Sequence, residues 1–162
     1  MVEILEVTQV NEALAEMVAL FRVELRSYKG IVSKPNIEAG HEEMEEYLSA
    51  KFPVFAALVD GEYAGYVVCR IDNEVVWVES IFVKEEYRRH GVATALHSKA
   101  EEIAVFYGDD TVYNYVHPNN HRMIEFLRKR GYTVLNLIEI RKPYQGEKLT
   151  QTITVGEHEF DY

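Results

Sequence analysis

Three groups of residues in this 162-residue sequence have types and spacings that could do chemistry. The first is Arg88-Arg89-His90-Gly91-Val92-Ala93, between an apolar stretch and a long amphipathic one. A helix start leaves about four amide hydrogens unpaired and carries partial positive charge, and a pyrophosphate satisfies both. Gly91 lets the backbone approach an anion, Ala93 keeps the first turn narrow, and the arginines add charge. Taken alone, such a turn is equally a helix start with solvated arginines. The second is Glu79, a carboxylate inside the apolar run VVWVESIFV. Strand alternation places it on the face of Trp77 and Ile81. A carboxylate among apolar neighbours is a candidate general base, since desolvation raises its pKa. It could instead only attract a cation, or face solvent. The third is a set of hydroxyls, Tyr113, Tyr115 and Tyr132, any of which could protonate a leaving group or simply pack in the core.

Other polar residues read more plainly. Cys69 lies in the apolar run VVCRI and behaves as a small buried hydrophobe. As the only cysteine it excludes an internal disulfide and a cysteine-based zinc cluster. His117 and His121 are four apart, but Pro118 separates them and a third ligand is missing, so no metal is expected. The segment HEEMEEYL (41–48) is either a solvated helix face or a carboxylate cluster that attracts cations.

The elements that must position these groups follow from periodicity and punctuation. Residues 2–7 alternate as a strand. Asn11 caps a helix with Leu14, Met17, Val18, Phe21 and Leu25 on one face. Residues 27–36 form a loop and 37–50 a short helix. Strands are expected at 54–59, 63–71 and 75–83, joined by turns at Asp60-Gly61 and Asp72-Asn73. A helix spans 90–107 with Gly108 past its end, then a strand at 111–116. Pro118-Asn119-Asn120 opens a further helix closed by Gly131, followed by strands at 132–140 and around 152–155. The order β α α β β β α β α β β implies an α/β fold with a mixed sheet. The length fits a single domain over 1–162, with 144–162 read as a closing strand or a dimer contact. The net charge of −10 argues against nucleic acid as a partner. No apolar run approaches the ~20 residues of a membrane span, so a cytoplasmic location is expected.

The stretch VESIFVKEEYRRHGVATALHSKAEEIA resembles motif A of the GNAT superfamily of acetyl-CoA-dependent N-acetyltransferases, with Arg88-x-x-Gly91-x-Ala93 as its loop. A second block, NHRMIEFLRKRGY (120–132), is similar to the helix that follows in that family. VESIFV followed by YRRHG is most similar to the polyamine and diamine branch (spermidine/spermine-type). The resemblance implies a mixed, mostly antiparallel twisted sheet flanked by helices and splayed between strands 75–83 and 111–116. It implies acetyl-CoA as co-substrate, its pantetheine arm paired with the backbone of Ile81, Phe82 and Val83. Its pyrophosphate would be held across Arg89, His90, Gly91, Val92, Ala93 and Thr94, with Arg88 assisting. Asn120 would contact the cofactor, cap the helix, or do both.

The implied activity is acetyl transfer to a primary amine by direct attack in a ternary complex, with a small cationic amine as acceptor and Glu79 as base. The alternatives are acetylation of a protein N-terminus or lysine, and a non-catalytic acyl-CoA-binding or regulatory domain. The second arises because the tyrosine usual in the family seven residues after the Asn is Leu127 here. Tyr115 then becomes the substitute candidate acid, with Tyr113, Tyr132 or water as the other choices. The resemblance also suggests a homodimer.

Overall fold

The structure is a computed structural model describing residues 1–162. It contains two compact units, Met1–His117 and Pro118–Tyr162.

In the first unit, β1 (Val2–Glu6) leads to α1 (Glu12–Ser27) and α2 (Ile37–Ser49). Three strands follow, β2 (Val54–Val59), β3 (Glu62–Asp72) and β4 (Val75–Val83). After a short 3-10 turn come α3 (Val92–Phe106) and β5 (Tyr113–Asn114). The five strands form one sheet in the order β1-β2-β3-β4-β5. Its first three junctions are antiparallel and the last is parallel. Both first helices start on an asparagine. Asn11 Oδ1 accepts the Leu14 amide at 2.9 Å, and Asn36 Oδ1 accepts the Ala39 amide at 3.0 Å. Asp60 and Gly61 both take positive φ, as a two-residue hairpin turn requires. The second turn falls one residue later than expected, with positive φ at Asn73 and Glu74.

The core lies between the sheet and the first two helices. Leu14, Met17 and Val18 of α1 and Met44 of α2 pack on Val54, Ala56, Tyr66, Val68 and Phe82. Fully burying side chains of this kind contributes about 1.5–3 kcal/mol each before entropy is subtracted. A Cβ at Gly40 would collide with the Ala15 carbonyl oxygen, so α2 rests directly on the α1 backbone. The α3 helix packs against β3 and β4, with Leu96 and Ala100 buried.

In the second unit, α4 (His121–Lys129) is capped by Asn120, whose Oδ1 accepts the Met123 amide at 3.1 Å. Gly131 follows at φ +93. The strand expected at 132–140 does not form. Val134, Leu135, Leu137, Ile138 and Ile140 are all exposed. An alternating apolar run becomes a strand only where a partner edge supplies hydrogen bonds, and this one is paired with none. The chain next becomes regular at β6 (Thr152–Val155) and β7 (His158–Asp161), an antiparallel pair of their own. No helix in either unit is long and apolar enough to cross a membrane.

Candidate functional site

The parallel contact between β4 and β5 covers only Trp77↔Tyr113 and Val78↔Asn114. Beyond that point the strands part, and the first residues past the last pair are Glu79 and Tyr115. The sheet is therefore splayed between β4 and β5. On its other side β4 stays paired with β3, from Val68↔Ser80 to Gly65↔Val83. The β5-facing edge of Ile81, Phe82 and Val83 has no strand partner, which leaves spaced amides and carbonyls available to an extended ligand.

A β-bulge sits at the apex of this opening. The register runs Cys69↔Val78 and then Val68↔Ser80, so Glu79 is the extra residue on β4. Bulges interrupt the ladder and re-aim side chains. Alternation holds from Val75 to Glu79 and is reset at Ser80. Ser80 shares the face of Tyr66, their hydroxyls 2.9 Å apart. Ile81, paired with Val67, is on the opposite face. The expectation that Glu79 shares a face with Trp77 holds. The expectation that Ile81 shares it fails, because the bulge inverts the pattern between them.

Glu79 is not surrounded by apolar groups either. Its Oε2 accepts Nε of Arg70 at 3.0 Å, and the two side chains are 30% and 27% exposed, Glu79 first. The Arg70 guanidinium lies 5.1 Å from the centroid of the Trp77 ring, a cation–π arrangement. Trp77 also contacts Tyr113 at 4.7 Å and stacks on Tyr115 at 5.1 Å and 13°. Thus Arg70, Trp77, Glu79, Tyr113 and Tyr115 form one cluster at the apex. Tyr115 is 65% exposed and so is not a core residue. Arg70 was not singled out in the sequence. Its signal was hairpin arithmetic, because a turn at 73–74 pairs position 70 with Trp77.

The second part of the site is the loop into α3. Arg89 and Gly91 both have positive φ, +67 and +83. Gly91 is the N-cap, so no side chain caps α3 and the first-turn amides of Val92, Ala93 and Thr94 have no side-chain acceptor at the cap. Arg89 and His90 are exposed beside them. Arg88 is engaged elsewhere. Its Nε donates to the Val83 carbonyl at 2.8 Å, and an Nη donates to Glu24 of α1 at 3.1 Å. It also lies 5.7 Å from the Phe82 ring centroid. The structure thus gives Arg88 the role of bracing the loop, and one of the three expected backbone carbonyls, Val83, is already accepting.

A polar network links α1 and α2 on the Glu79 side of the sheet. The Nε of Arg22 donates to Glu43 at 2.6 Å, a second Arg22 nitrogen bonds the other carboxylate oxygen, and the Tyr47 hydroxyl donates to that same oxygen at 2.6 Å. Burial raises the Tyr47 pKa, its bond to Glu43 adds to this, and Glu79 contributes as a nearby negative charge. Glu43 is therefore tied into structure, while Glu42, Glu45 and Glu46 are exposed. Tyr66 is also raised, mainly by burial. Cys69 is buried, and its thiol is pushed up to about 12 by that burial. His117 stacks on Tyr28 at 5.9 Å, with its pKa lowered by burial and by Lys29.

In the second unit, Leu127 is buried and offers no hydroxyl. The Tyr132 amide donates to the Leu127 carbonyl at 3.0 Å, and the residue is half-buried.

Residues 17–132 match the family model described as the acetyltransferase (GNAT) family. An N-alpha-acetyltransferase of Sulfurisphaera tokodaii is 31% identical over 114 residues, covering 60% of this chain and 64% of that protein. An uncharacterized N-acetyltransferase of Methanocaldococcus jannaschii is 33% identical over 85 residues, covering 48% of this chain and 38% of that one. The matches thus span less than two-thirds of these curated relatives. Among solved structures, the aminoglycoside N-acetyltransferase AAC(6')-Iy with a bisubstrate analogue has a TM-score of 0.65 at 21% identity, covering 89% of this chain and 99% of that one. PaiA N-acetyltransferase from Thermoplasma acidophilum, in complex with coenzyme A, has a TM-score of 0.64 at 19% identity, covering 80% and 88%. The chain belongs to the acetyltransferase (GNAT) family.

Proposed function

We propose that this chain transfers the acetyl group of acetyl-CoA to a primary amine by direct attack in a ternary complex. The observation that carries the reading is the coincidence of the β4–β5 opening, the bulge and Glu79 at one point. The opening exposes the backbone of Ile81–Val83 to the pantetheine arm. The uncapped start of α3, with Arg89, His90, Gly91 and the Val92–Thr94 amides, suits the pyrophosphate.

The amine arrives as an ammonium ion and gives one proton to Glu79. Its nitrogen attacks the thioester carbon, and amides released by the bulge stabilise the oxyanion. The C–S bond then breaks, the thiolate takes a proton from Tyr115 or from water, and the second proton lost from the nitrogen restores that donor. A second reading, acetylation of a protein N-terminus, is favoured by the 31% identity to an N-alpha-acetyltransferase. We also propose that a second copy covers the apolar row Val134–Ile140, giving a homodimer that works in the cytoplasm. Thiol release from acetyl-CoA with a panel of amines, amino acids, aminoglycosides and peptides tests the reading. Acetyl-CoA binding with no thiol release for any of them would leave an acyl-CoA-binding domain instead.

A further inference from the structure

The acceptor side of the opening is already charged in both senses. Arg70 makes a single hydrogen bond, from Nε to Glu79, and its guanidinium carbon lies over the Trp77 ring, 5.1 Å from the centroid. Its two Nη groups have no protein acceptor and point along the remaining edge of the guanidinium fork. Such an edge holds a carboxylate by two parallel hydrogen bonds. Glu79 in turn has one oxygen, Oε1, without a hydrogen-bond donor. The pair is electroneutral as a whole, with a donor edge and an acceptor oxygen side by side. A polycationic acceptor would bring a second positive charge toward Arg70, with no compensating carboxylate in the pair. Glu43 does not supply one, because Arg22 and Tyr47 already hold it.

We infer that the acceptor is a zwitterion, a primary amine with a carboxylate a few bonds away, whose ammonium meets Glu79 and whose carboxylate meets the Nη edge of Arg70. The inference rests on the acetyl-transfer reading and narrows its substrate class. The Glu79 bond and the Trp77 ring, itself stacked on Tyr115, position the Arg70 guanidinium before the acceptor arrives. Arg70 is thereby a specificity-determining residue.

Three molecules of equal length test it: β-alanine, β-alaninamide and 1,3-diaminopropane, each followed by thiol release from acetyl-CoA. The expected kcat/KM for β-alanine exceeds that of the other two by about tenfold or more, the usual scale for a charge-assisted bidentate contact. A peptide opening with Asp, compared with the same peptide opening with Asn, shows whether the carboxylate comes from a chain end or a free amino acid. Equal rates for the three small amines, or preference for the diamine, with no gain for the Asp peptide, would overturn the inference while leaving acetyl transfer intact. Thiol release with none of them, while another amine of the wider panel is acetylated, would overturn this inference alone; release with no amine of either set, in protein that binds acetyl-CoA by calorimetry, would overturn acetyl transfer and this inference together. Arg70→Gln should raise the KM for β-alanine about tenfold and lower that for 1,3-diaminopropane, because the repelling charge is gone. An equal rise for both would mean that Arg70 only supports the fold, and the inference fails. The wild-type comparison stands by itself if the variant does not fold.

Discussion

The loop into α3 and the apex of the β4–β5 opening are built from different materials. The loop offers backbone: uncapped amides, two residues at positive φ, and Arg88 pinned to Glu24 and Val83. The apex offers side chains: Arg70 bonded to Glu79 and laid over Trp77, with Tyr113 and Tyr115 beside it. Backbone amides recognise phosphate regardless of which residues carry them, provided the turn is right. Side chains choose among acceptors. A shared cofactor with a private acceptor is the division that such a pair of regions would support.

The sharpest way to break this comparison is at Glu79. Glu79→Gln should lower kcat by about 10²–10⁴-fold with the KM for acetyl-CoA unchanged. The loss should be largest at low pH, and an unaltered pH–rate profile would remove Glu79 from the proton path. Next comes Gly91→Val, which forces a branched residue to φ +83. No atom lies within 4 Å of a Cβ there, so the cost is conformational, about 1–2 kcal/mol. The KM for acetyl-CoA should rise about tenfold or more while acceptor preference is kept. A change in acceptor preference would show that the two regions are not separable.

Smaller effects sharpen the picture. Tyr115→Phe should lower kcat about tenfold if its hydroxyl protonates the thiolate, and leave it alone if water does. Glu43→Gln should lower stability by about 1 kcal/mol in thermal melts, through the lost bonds to Arg22 and Tyr47, with little change in acceptor KM. Neutralising Glu42, Glu45 and Glu46 together should raise the KM of a cationic acceptor by about twofold at low salt and not at high salt. Finally, Cys69 should resist alkylation at pH 8 in the folded chain. Burial favours its protonated form, so this contribution to stability is full below the ordinary thiol range and is lost as pH climbs toward about 12. Rapid modification of native protein would contradict that burial.

The same contrast explains what the sequence made legible. The α3 loop was readable because its signal is local: a glycine at a forced φ, followed by a helical period. The caps at Asn11 and Asn120 and the turn at Asp60-Gly61 are local too. The bulge at Glu79 depends on register against β3, which no window around VVWVESIFV contains, and the face of Ile81 was misjudged for that reason. The Arg70–Glu79 pair was hidden by the same non-locality. The run 132–140 failed in the opposite way. Its pattern is a good strand pattern, but pairing is a property of two segments, and its apolar residues stand exposed.

Trp77 is the only tryptophan in the chain. It stands at the apex, with a guanidinium over its ring and a tyrosine stacked on it. All indole emission from this protein therefore originates at one place, next to the proposed reaction centre. Cofactor and acceptor can each be titrated by intrinsic fluorescence, without a label and without turnover.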